Sequence, residues 1–236
     1  EIKKLFKDAN RDVRGWAVAA LGALGTKDEI PDVKKLLKDK DAYVRGSVVK
    51  ALVKLGAKEA IPDIRGMLKD VEAGARECAV LALGKLGAKE AIPDMKELLK
   101  DTNVQGTVQQ KVLLCCSTLL VLGKLGGKEA MPEIKDMLQH AAPHVRRQAL
   151  LALVDLDAKE AIPDIKRLLN DGEALCRGVA GIALVELGEK DSVPRDAIKY
   201  VKMIIPTWGG EYATRAEKAL RRLGVSEEEI ERAKVK

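Results

Sequence analysis

Aromatic residues make up only 3% of this 236-residue chain: Phe6, Trp16, Tyr43, Tyr200, Trp208 and Tyr212. So few rings leave little with which to stack nucleic-acid bases. Histidine is scarcer still, with His140 and His144 alone, and no His-Glu pair occurs anywhere. Those two histidines have the i, i+4 spacing of a metal pair, but Pro143 between them predicts a turn and no carboxylate or thiol cluster accompanies them. No metal and no cofactor is therefore expected. Four cysteines, Cys78, Cys115, Cys116 and Cys176, follow no CxxC spacing. They are too few for a disulfide scaffold and imply reduced, packed thiols in a cytoplasmic protein. The adjacent pair would point about 100° apart on a helix, which suits neither a shared metal nor a disulfide. No nucleophile-base pair stands out, so no catalytic residue is expected. Signal-peptide patterning is absent, and the apolar stretch after Lys111 falls short of the ~20 residues of a membrane helix, so no membrane contact is expected.

What the chain does have is Ala, Leu, Lys, Glu and Val in abundance, 47% hydrophobic and 33% charged residues, which favours ordered helix throughout. The formal charge of +6 comes from 42 basic and 36 acidic residues spread along the whole length. A balance this mild permits an acidic partner without requiring one.

Aligning the chain on proline exposes a period. The segments EIPDVKKLLKD, AIPDIRGMLKD, AIPDMKELLKD, AMPEIKDMLQH, AIPDIKRLLND and SVPRDAIKYVK place Pro31, Pro62, Pro93, Pro132, Pro163 and Pro194 at spacings of 31, 31, 39, 31 and 31 residues. Fixed periodicity of this length means a solenoid, each unit burying its apolar face against its neighbours. The opening EIKKLFKD matches DVKKLLKD position for position, so Glu1 is expected inside the second helix of an earlier unit, with further residues upstream. Within a unit, a first segment such as DAYVRGSVVKALVKLG ends at a glycine, here Gly56, suited to a left-handed helix terminus. In the second segment Ile61, Ile64, Met67 and Leu68 form one stripe on a 3.6-residue helix, with Pro62 in or near its first turn.

A helical pair of about 31 residues, with Val13-Arg14, Val44-Arg45 and Val145-Arg146 opening the first helix (Ala75-Arg76 and Cys176-Arg177 as variants) and an LGxxxAIPxLxxLLKD pattern running through the second, resembles the HEAT-like repeat of phycobilisome lyase subunits, of many archaeal and bacterial proteins and of designed consensus arrays. The resemblance implies an all-α, right-handed α-α superhelix of about six to seven helical pairs. It would occupy residues 1–224, with a partial unit at 1–8, an insertion within 101–122 and a capping helix at 225–236. It also implies that the second helices line the concave surface. It says little of activity, since the fold hosts scaffolds, lyase subunits and DNA glycosylases alike. The di-iron hydroxylases of this fold need repeated His-Glu dyads, which are absent here.

Three residues after the prolines stand Lys34, Arg65, Lys96, Lys135 and Lys166, with Lys3 in the partial unit. Two readings compete. A polyanion could lie on this basic row. Alternatively, Asp32, Asp63, Asp94, Glu133 and Asp164, one residue after each proline, make an acidic edge that stacking would bring beside the basic edge. The arginines at positions 14, 45, 76, 146 and 177 invite the same structural reading, tied to loop carboxylates such as Asp12 and Asp41. Four residues after proline lie Lys35, Gly66, Glu97, Asp136 and Arg167, the least uniform position and the one furthest from the apolar stripe. Stacking repeats while a partner does not, so partner contact is expected there, from Lys35, Glu97, Asp136 and Arg167, with the adjoining basic residues Lys34, Arg65, Lys96, Lys135 and Lys166.

The 39-residue spacing carries eight extra residues in or before the helix VQQKVLLCCSTLLVLGKLG, and two additional turns are expected there. Its apolar circumference, with Leu113, Leu114 and Leu120, predicts either a thickened core or an exposed patch for a partner or for weak self-association of an otherwise monomeric chain. Trp16 falls at a position held by Ser47, Cys78, Gln148 and Val179 in other units, so it is no framework residue and would need an upstream helix to cover it. IIPTWGGEY reads as a loop whose Trp208 is either a binding tip or a plug sealing the last unit. Ser226 and Glu229 form a capping-box pattern for a short terminal helix. The sequence favours a noncatalytic scaffold that binds a protein or peptide. Nucleic-acid binding of the HEAT-like glycosylase kind is the alternative, though Trp16 and Trp208 lie at opposite ends of the array, and a bilin lyase-type subunit is a third.

Overall fold

The computed structural model describes residues 1–25, 27–101 and 105–234. Among these residues the secondary structure is helical, and the one extended pairing is a single parallel bridge between Glu72 and Gln105. The chain divides into two compact units, Glu1–Ala130 and Met131–Lys236. In the first unit a 3-10 segment, Ile2–Lys7, precedes α1 (Arg11–Leu24), α2 (Ile30–Lys35), α3 (Ala42–Lys54), α4 (Ile61–Gly66), α5 (Ala73–Leu86), α6 (Ile92–Leu98) and α7 (Val108–Leu125). The second contains α8 (Met131–Asp136), α9 (Pro143–Asp155), α10 (Ile162–Arg167), α11 (Ala174–Glu186), α12 (Ile198–Trp208), α13 (Gly210–Arg222) and α14 (Glu227–Lys234).

Each first helix packs on the first helix of the next pair, α1 on α3, α3 on α5 and α5 on α7 in one unit, α9 on α11 in the other. The core runs between these rows and the apolar stripes of the second helices: Val48 and Leu52 of α3 are fully buried, as are Ile64 of α4, Leu83 of α5 and Met95 of α6. Small residues set the approach. A Cβ on Gly22 would lie 2.7 Å from the Cα of Ala51, and one on Gly84 would lie 2.8 Å from a Val121 methyl, so the helices touch there through glycine.

The second helices are shorter than their periodicity suggests. Lys58–Ala60 and Met67–Lys69 are 3-10 turns flanking the six-residue α4, an arrangement repeated around α10 and α8. Proline enters α2, α4, α6 and α10 in the first turn, where the missing N–H leaves no bond unmade. Over two turns the 3.0- and 3.6-residue periods place apolar residues on nearly the same face, so sequence pattern does not distinguish them.

The predicted glycine termini hold at Gly56, Gly87, Gly126 and Gly188, all at positive φ, while Asp157 takes the same place at φ 51°. The terminus of α1 differs, since Gly25 has φ −75°.

The repeated arginines tie successive loops together, although not through Asp12 and Asp41. Asp41 instead caps α3, accepting from the Tyr43 N–H at 2.9 Å, and lies 3.3 Å from Arg11; Asp12 is 3.8 Å from Arg11. The true acceptors lie 25 residues on, at the end of the next second helix. Arg14 donates to both carboxylate oxygens of Asp39 at 2.8 Å. Arg45 reaches Asp70 at 2.5 and 2.6 Å, Arg146 reaches Asp171 at 2.8 and 2.7 Å, and Arg76 bonds to Asp101. Each guanidinium also donates to carbonyls of its own preceding loop, Asp8 and Ala9 for Arg14, Asp39 for Arg45 and His140 for Arg146. The Arg14 and Asp39 side chains keep only 5% and 8% of their exposure, so this is a buried, fork-to-fork ion pair. Arg177 departs from the pattern: it lies 4.0 Å above the Tyr200 ring and bonds to the Asp171 carbonyl.

Three further expectations are corrected. The insertion lengthens the helix by one turn, not two: α7 has 18 residues against 13 in α3 and 14 in α5. Part of the remainder is extended chain, where Gln105 donates to the Val71 carbonyl at 2.9 Å and accepts from the Ala73 N–H at 2.8 Å. Thr102, Asn103 and Val104, within the insertion region, lie outside the described residues. At 18 residues and mean hydropathy 1.3, α7 is long and apolar enough to cross a membrane by length and composition, contrary to the estimate from the apolar run. Its buried residues, Leu114, Leu119, Val121, Leu122 and Leu125, account for much of that apolar content by packing. The third correction is IIPTWGGEY, which is no loop: α12 runs through Pro206 to Trp208, and Gly209 at φ 59° turns the chain directly into α13. Pro194 likewise precedes a 3-10 turn, Arg195–Ala197, rather than opening α12.

Burial pushes the Asp39 and Asp171 carboxyls up, but the guanidinium and the N–H groups of Asp41 and Glu173 outweigh it and hold both below the ordinary carboxylate range. Their folded values being depressed, the stability they contribute is full above about pH 4. It is lost as pH falls through the native values, so acid titration of unfolding free energy is expected to slope downward below that point, and Asp171→Asn to flatten the slope. Arg45→Met leaves Asp70 buried without its guanidinium and is expected to cost about 3 kcal/mol in urea unfolding. Adding Asp70→Asn removes the stranded charge and recovers a large part of that loss; two effects that merely add would refute the pairing. Asp157→Gly relieves a side chain held at positive φ and is expected to raise stability by about 1 kcal/mol, read from the urea midpoint.

Candidate partner-binding surface

The second helices present three kinds of position. Those facing inward, such as Val33, Ile64, Met95, Ile134 and Ile165, are fully buried. Three residues after proline the basic side chains reach the acid one residue after the next proline. Lys34 lies 2.6 Å from Asp63, Arg65 2.7 Å from Asp94, and Lys135 2.7 Å from Asp164. Lys3 makes the same link to Asp32 at 2.8 Å and reaches Glu29 at 2.6 Å, and Lys166 finds Glu189 at 3.0 Å. Lys96 is half-buried and also engaged in a polar contact. The structural reading of this row is therefore realised in the pairs just named.

The row has a measurable electrostatic consequence. Hydrogen bonds from Lys3 and then Lys35 bring the Asp32 carboxyl down to about 2. Lys166 and Ser192 lower that of Glu189. A row whose positive charges already face carboxylates has little left for a phosphate backbone.

Four residues after proline the side chains stand outside this ladder. Lys35, Glu97 and Arg167 retain 75%, 69% and 73% of their side-chain exposure, and Asp136 is exposed as well. A Cβ at Gly66 would meet nothing within 4 Å. Lys35 pairs with Asp32 at 2.7 Å, Arg167 with Asp164 at 3.1 Å, and Glu97 with Lys100 at 3.5 Å, all one turn apart on their own helices. Such exposed pairs contribute only tenths of a kcal/mol and yield easily to a partner.

The apolar trio of α7 is not held in one place. Leu114 is buried, Leu120 is half-buried, and Leu113 remains 45% exposed beside Val108 at 80%. Trp16 is 66% exposed. Trp208 is half-buried, with Tyr212 edge-on at 5.3 Å and the Arg147 guanidinium 4.9 Å over its ring. His140 accepts the Ala142 N–H at Nδ1, 3.0 Å away. Among the described residues no group of three or more His, Cys, Asp or Glu is placed to hold a metal ion. Burial, helped by the nearby Asp171 charge, pushes the Cys176 thiol up to about 12, and burial raises those of Cys78 and Cys115.

One set of residues escaped the proline-based alignment. Lys54, Lys85 and Lys124 occupy the same register near the ends of α3, α5 and α7, and all three are exposed. Reading the first helices column by column at the 31- and 39-residue spacings would have found them. In the second unit the same column holds Asp155 and Glu186, both bound to Arg215 at 2.7 and 3.3 Å.

No curated protein matches the chain in sequence. In structure the chain is similar to the complex of CpcE and CpcF of phycocyanin lyase from Nostoc sp. PCC7120, with 20% identity, a TM-score of 0.57 and coverage of 99% of this chain and 92% of that one. It is similar also to YibA of E. coli, at 17% identity and a TM-score of 0.60 over 95% and 92% of the two chains. An engineered protein, 17% identical, aligns with a TM-score of 0.50 over 99% of this chain and 70% of that chain. At such identities these likenesses show the fold alone. The family model for HEAT repeats matches residues 2–76, 54–114 and 116–194, and with the 31-residue helical pairs and their arginine ties the chain belongs to the HEAT-repeat family.

Proposed function

We propose that this protein is a noncatalytic, cytoplasmic scaffold that binds a protein or peptide through the exposed positions of its second helices. One observation carries the reading: within the same short segments, the repeating charges pair across neighbouring helices while the nonrepeating charges pair only one turn away and stay largely exposed. Lys34, Arg65 and Lys135 face acids at 2.6 to 2.7 Å, whereas Lys35, Glu97 and Arg167 keep about seven-tenths of their exposure. A framework repeats because stacking repeats; a recognition surface follows its partner.

The chemistry of the chain supports a binding role over a catalytic one. With their acidity lowered by burial, the Cys78, Cys115 and Cys176 thiols hold little thiolate at neutral pH and are poor nucleophiles. The neutralised basic row disfavours a nucleic-acid backbone as the partner. Electrostatic complementarity at such exposed positions sets partner choice and encounter rate more than raw stability.

Affinity capture from the native cell with mass spectrometry identifies the partner, and the charge-reversed chain Glu97→Lys, Asp136→Lys then tests the surface. Partner affinity is expected to fall about tenfold or more with the melting temperature unchanged. Loss of stability in step with affinity would assign these residues to the framework and remove the reading, as would unchanged capture.

A further inference from the structure

The outward side of α3, α5 and α7 joins an apolar groove to a row of lysines that have no ion-pair partner among the described residues. The groove has a volume of about 470 Å³ and is bounded by Tyr43, Ser47, Cys78 and Leu81, with Lys50, Lys54 and Lys85 on its rim. Its depth comes from small side chains. Ser47 and Cys78 hold the register that Trp16 fills on α1, and Gly74 faces outward in the register of Tyr43 with nothing within 4 Å of where its Cβ would stand. The apolar surface continues onto α7 through half-buried Leu120 and Leu113, the latter 45% exposed, as is Tyr43 at 46%.

Beside this stripe stand Lys54, Lys85 and Lys124, exposed and, among the described residues, without a carboxylate in ion-pair contact. In the second helices, by contrast, the lysines three residues after proline meet acids, as Lys34 meets Asp63. A row of like charges in neighbouring helices is mutually repulsive, and only solvent screening offsets it. The geometry sets the spacing a ligand must match. Packed helices lie about 8–10 Å apart, and a Cβ added to Gly84 would lie 2.8 Å from a Val121 methyl, which marks α5 and α7 as a close pair. Seven residues of α-helix rise about 10.5 Å. An amphipathic helix laid across α3, α5 and α7 therefore presents acids at i, i+7 and i+14 to Lys54, Lys85 and Lys124 in turn, while its apolar face covers Leu81 and Leu120, one turn before the last two lysines.

We infer that the outer face of α3, α5 and α7 is a docking site for an acidic amphipathic helix of a partner protein. This site is separate from the second-helix surface and stands without it. The probe is a synthetic fluorescein-labelled peptide of about 21 residues, long enough for three acids at seven-residue spacing with leucines along the adjoining face. Fluorescence anisotropy against the full chain is expected to show saturable binding that Lys54→Glu, Lys85→Glu, Lys124→Glu together weaken at least ~30-fold, about 2 kcal/mol at 1.4 kcal/mol per decade. Because all three lysines are exposed, the melting temperature of that variant is expected to match the parent. Leu81→Ala tests the apolar half and is expected to weaken binding about threefold to tenfold. Equal binding of a peptide with the same composition and scrambled register would reduce the effect to unspecific charge and overturn the inference. So would absence of binding, or preference for vesicles containing phosphatidylserine over the peptide. Glu97→Lys with Asp136→Lys leaves this binding unchanged, which separates its failure from failure of the second-helix surface.

Discussion

The ion pair between an arginine near the start of one first helix and an aspartate at the end of the next second helix is the constraint on which the stacking rests. It does two jobs at once. The guanidinium satisfies carbonyls left open in its own preceding loop and simultaneously holds, through both carboxylate oxygens, the loop that leads to the following pair, as Arg45 does with the Asp39 carbonyl and Asp70. The aspartate in turn orders its own turn, since Asp39 accepts the Asp41 N–H at 2.9 Å and Asp171 accepts the Glu173 N–H at 2.9 Å. Taking these charges from water costs several kcal/mol per ion. The bidentate geometry and the additional carbonyl bonds offset that cost, and the direction of the Asp39 and Asp171 shifts shows the charged forms prevailing. Such a unit specifies register, because sliding one helical pair along its neighbour would strand both charges.

The 25-residue spacing also shows where the clamp has been given up. Arg14, Arg45, Arg76 and Arg146 find aspartates at that interval, but Cys115 and His140 occupy the corresponding two positions. Both partners are replaced together, which avoids a stranded charge. His140 retains the second duty of the aspartate, accepting the Ala142 N–H at 3.0 Å, while relinquishing the first. The extended segment before α7 supplies other ties in the same region, through Gln105 on both sides of Glu72. Toward the end of the array the substitution takes another form: Arg177 has Lys202 at the same interval and rests on Tyr200 instead, exchanging an ion pair for a cation-π contact.

The period, the all-helical class, the core stripes and the charge ladder of the second helices were all legible in the sequence, because each follows from a pattern that recurs. What was not legible are features fixed by contacts across 25 residues or by the balance of helix types over short stretches. Asp41 looks like a partner for Arg45 by proximity in sequence, yet its carboxylate is taken by the N-terminus of α3, leaving Asp70 to close the clamp. Pro206 and the paired glycines read as a loop, yet Ile204 and Ile205 are buried, and their packing holds α12 helical through the proline until Gly209 turns the chain. Around the candidate surface, the residues outside the ladder were identified by their irregularity. The lysine row of the first helices was missed because alignment on proline directs attention to the second helices alone.

The two rows of lysines illustrate how repetition separates structural from functional charge. Along the second helices Lys3, Lys34, Arg65 and Lys135 are each followed, 29 residues on, by an acid within 2.6 to 2.8 Å, so the repeat itself supplies the counterion. In the first helices the column Lys54, Lys85, Lys124 repeats with no acid in register, and repetition then concentrates charge instead of cancelling it. The column changes sign at Asp155 and Glu186, where Arg215 of α13 reaches both, and burial raises the Glu186 carboxyl despite that arginine. There the opposite charge is internal, and the outer face of α9 and α11 is covered by the chain's own helix. Among the described residues no helix plays that part for α3, α5 and α7. The register that receives α13 in one unit is exposed in the other with the opposite sign of charge, the complement of the acidic helix inferred to dock there.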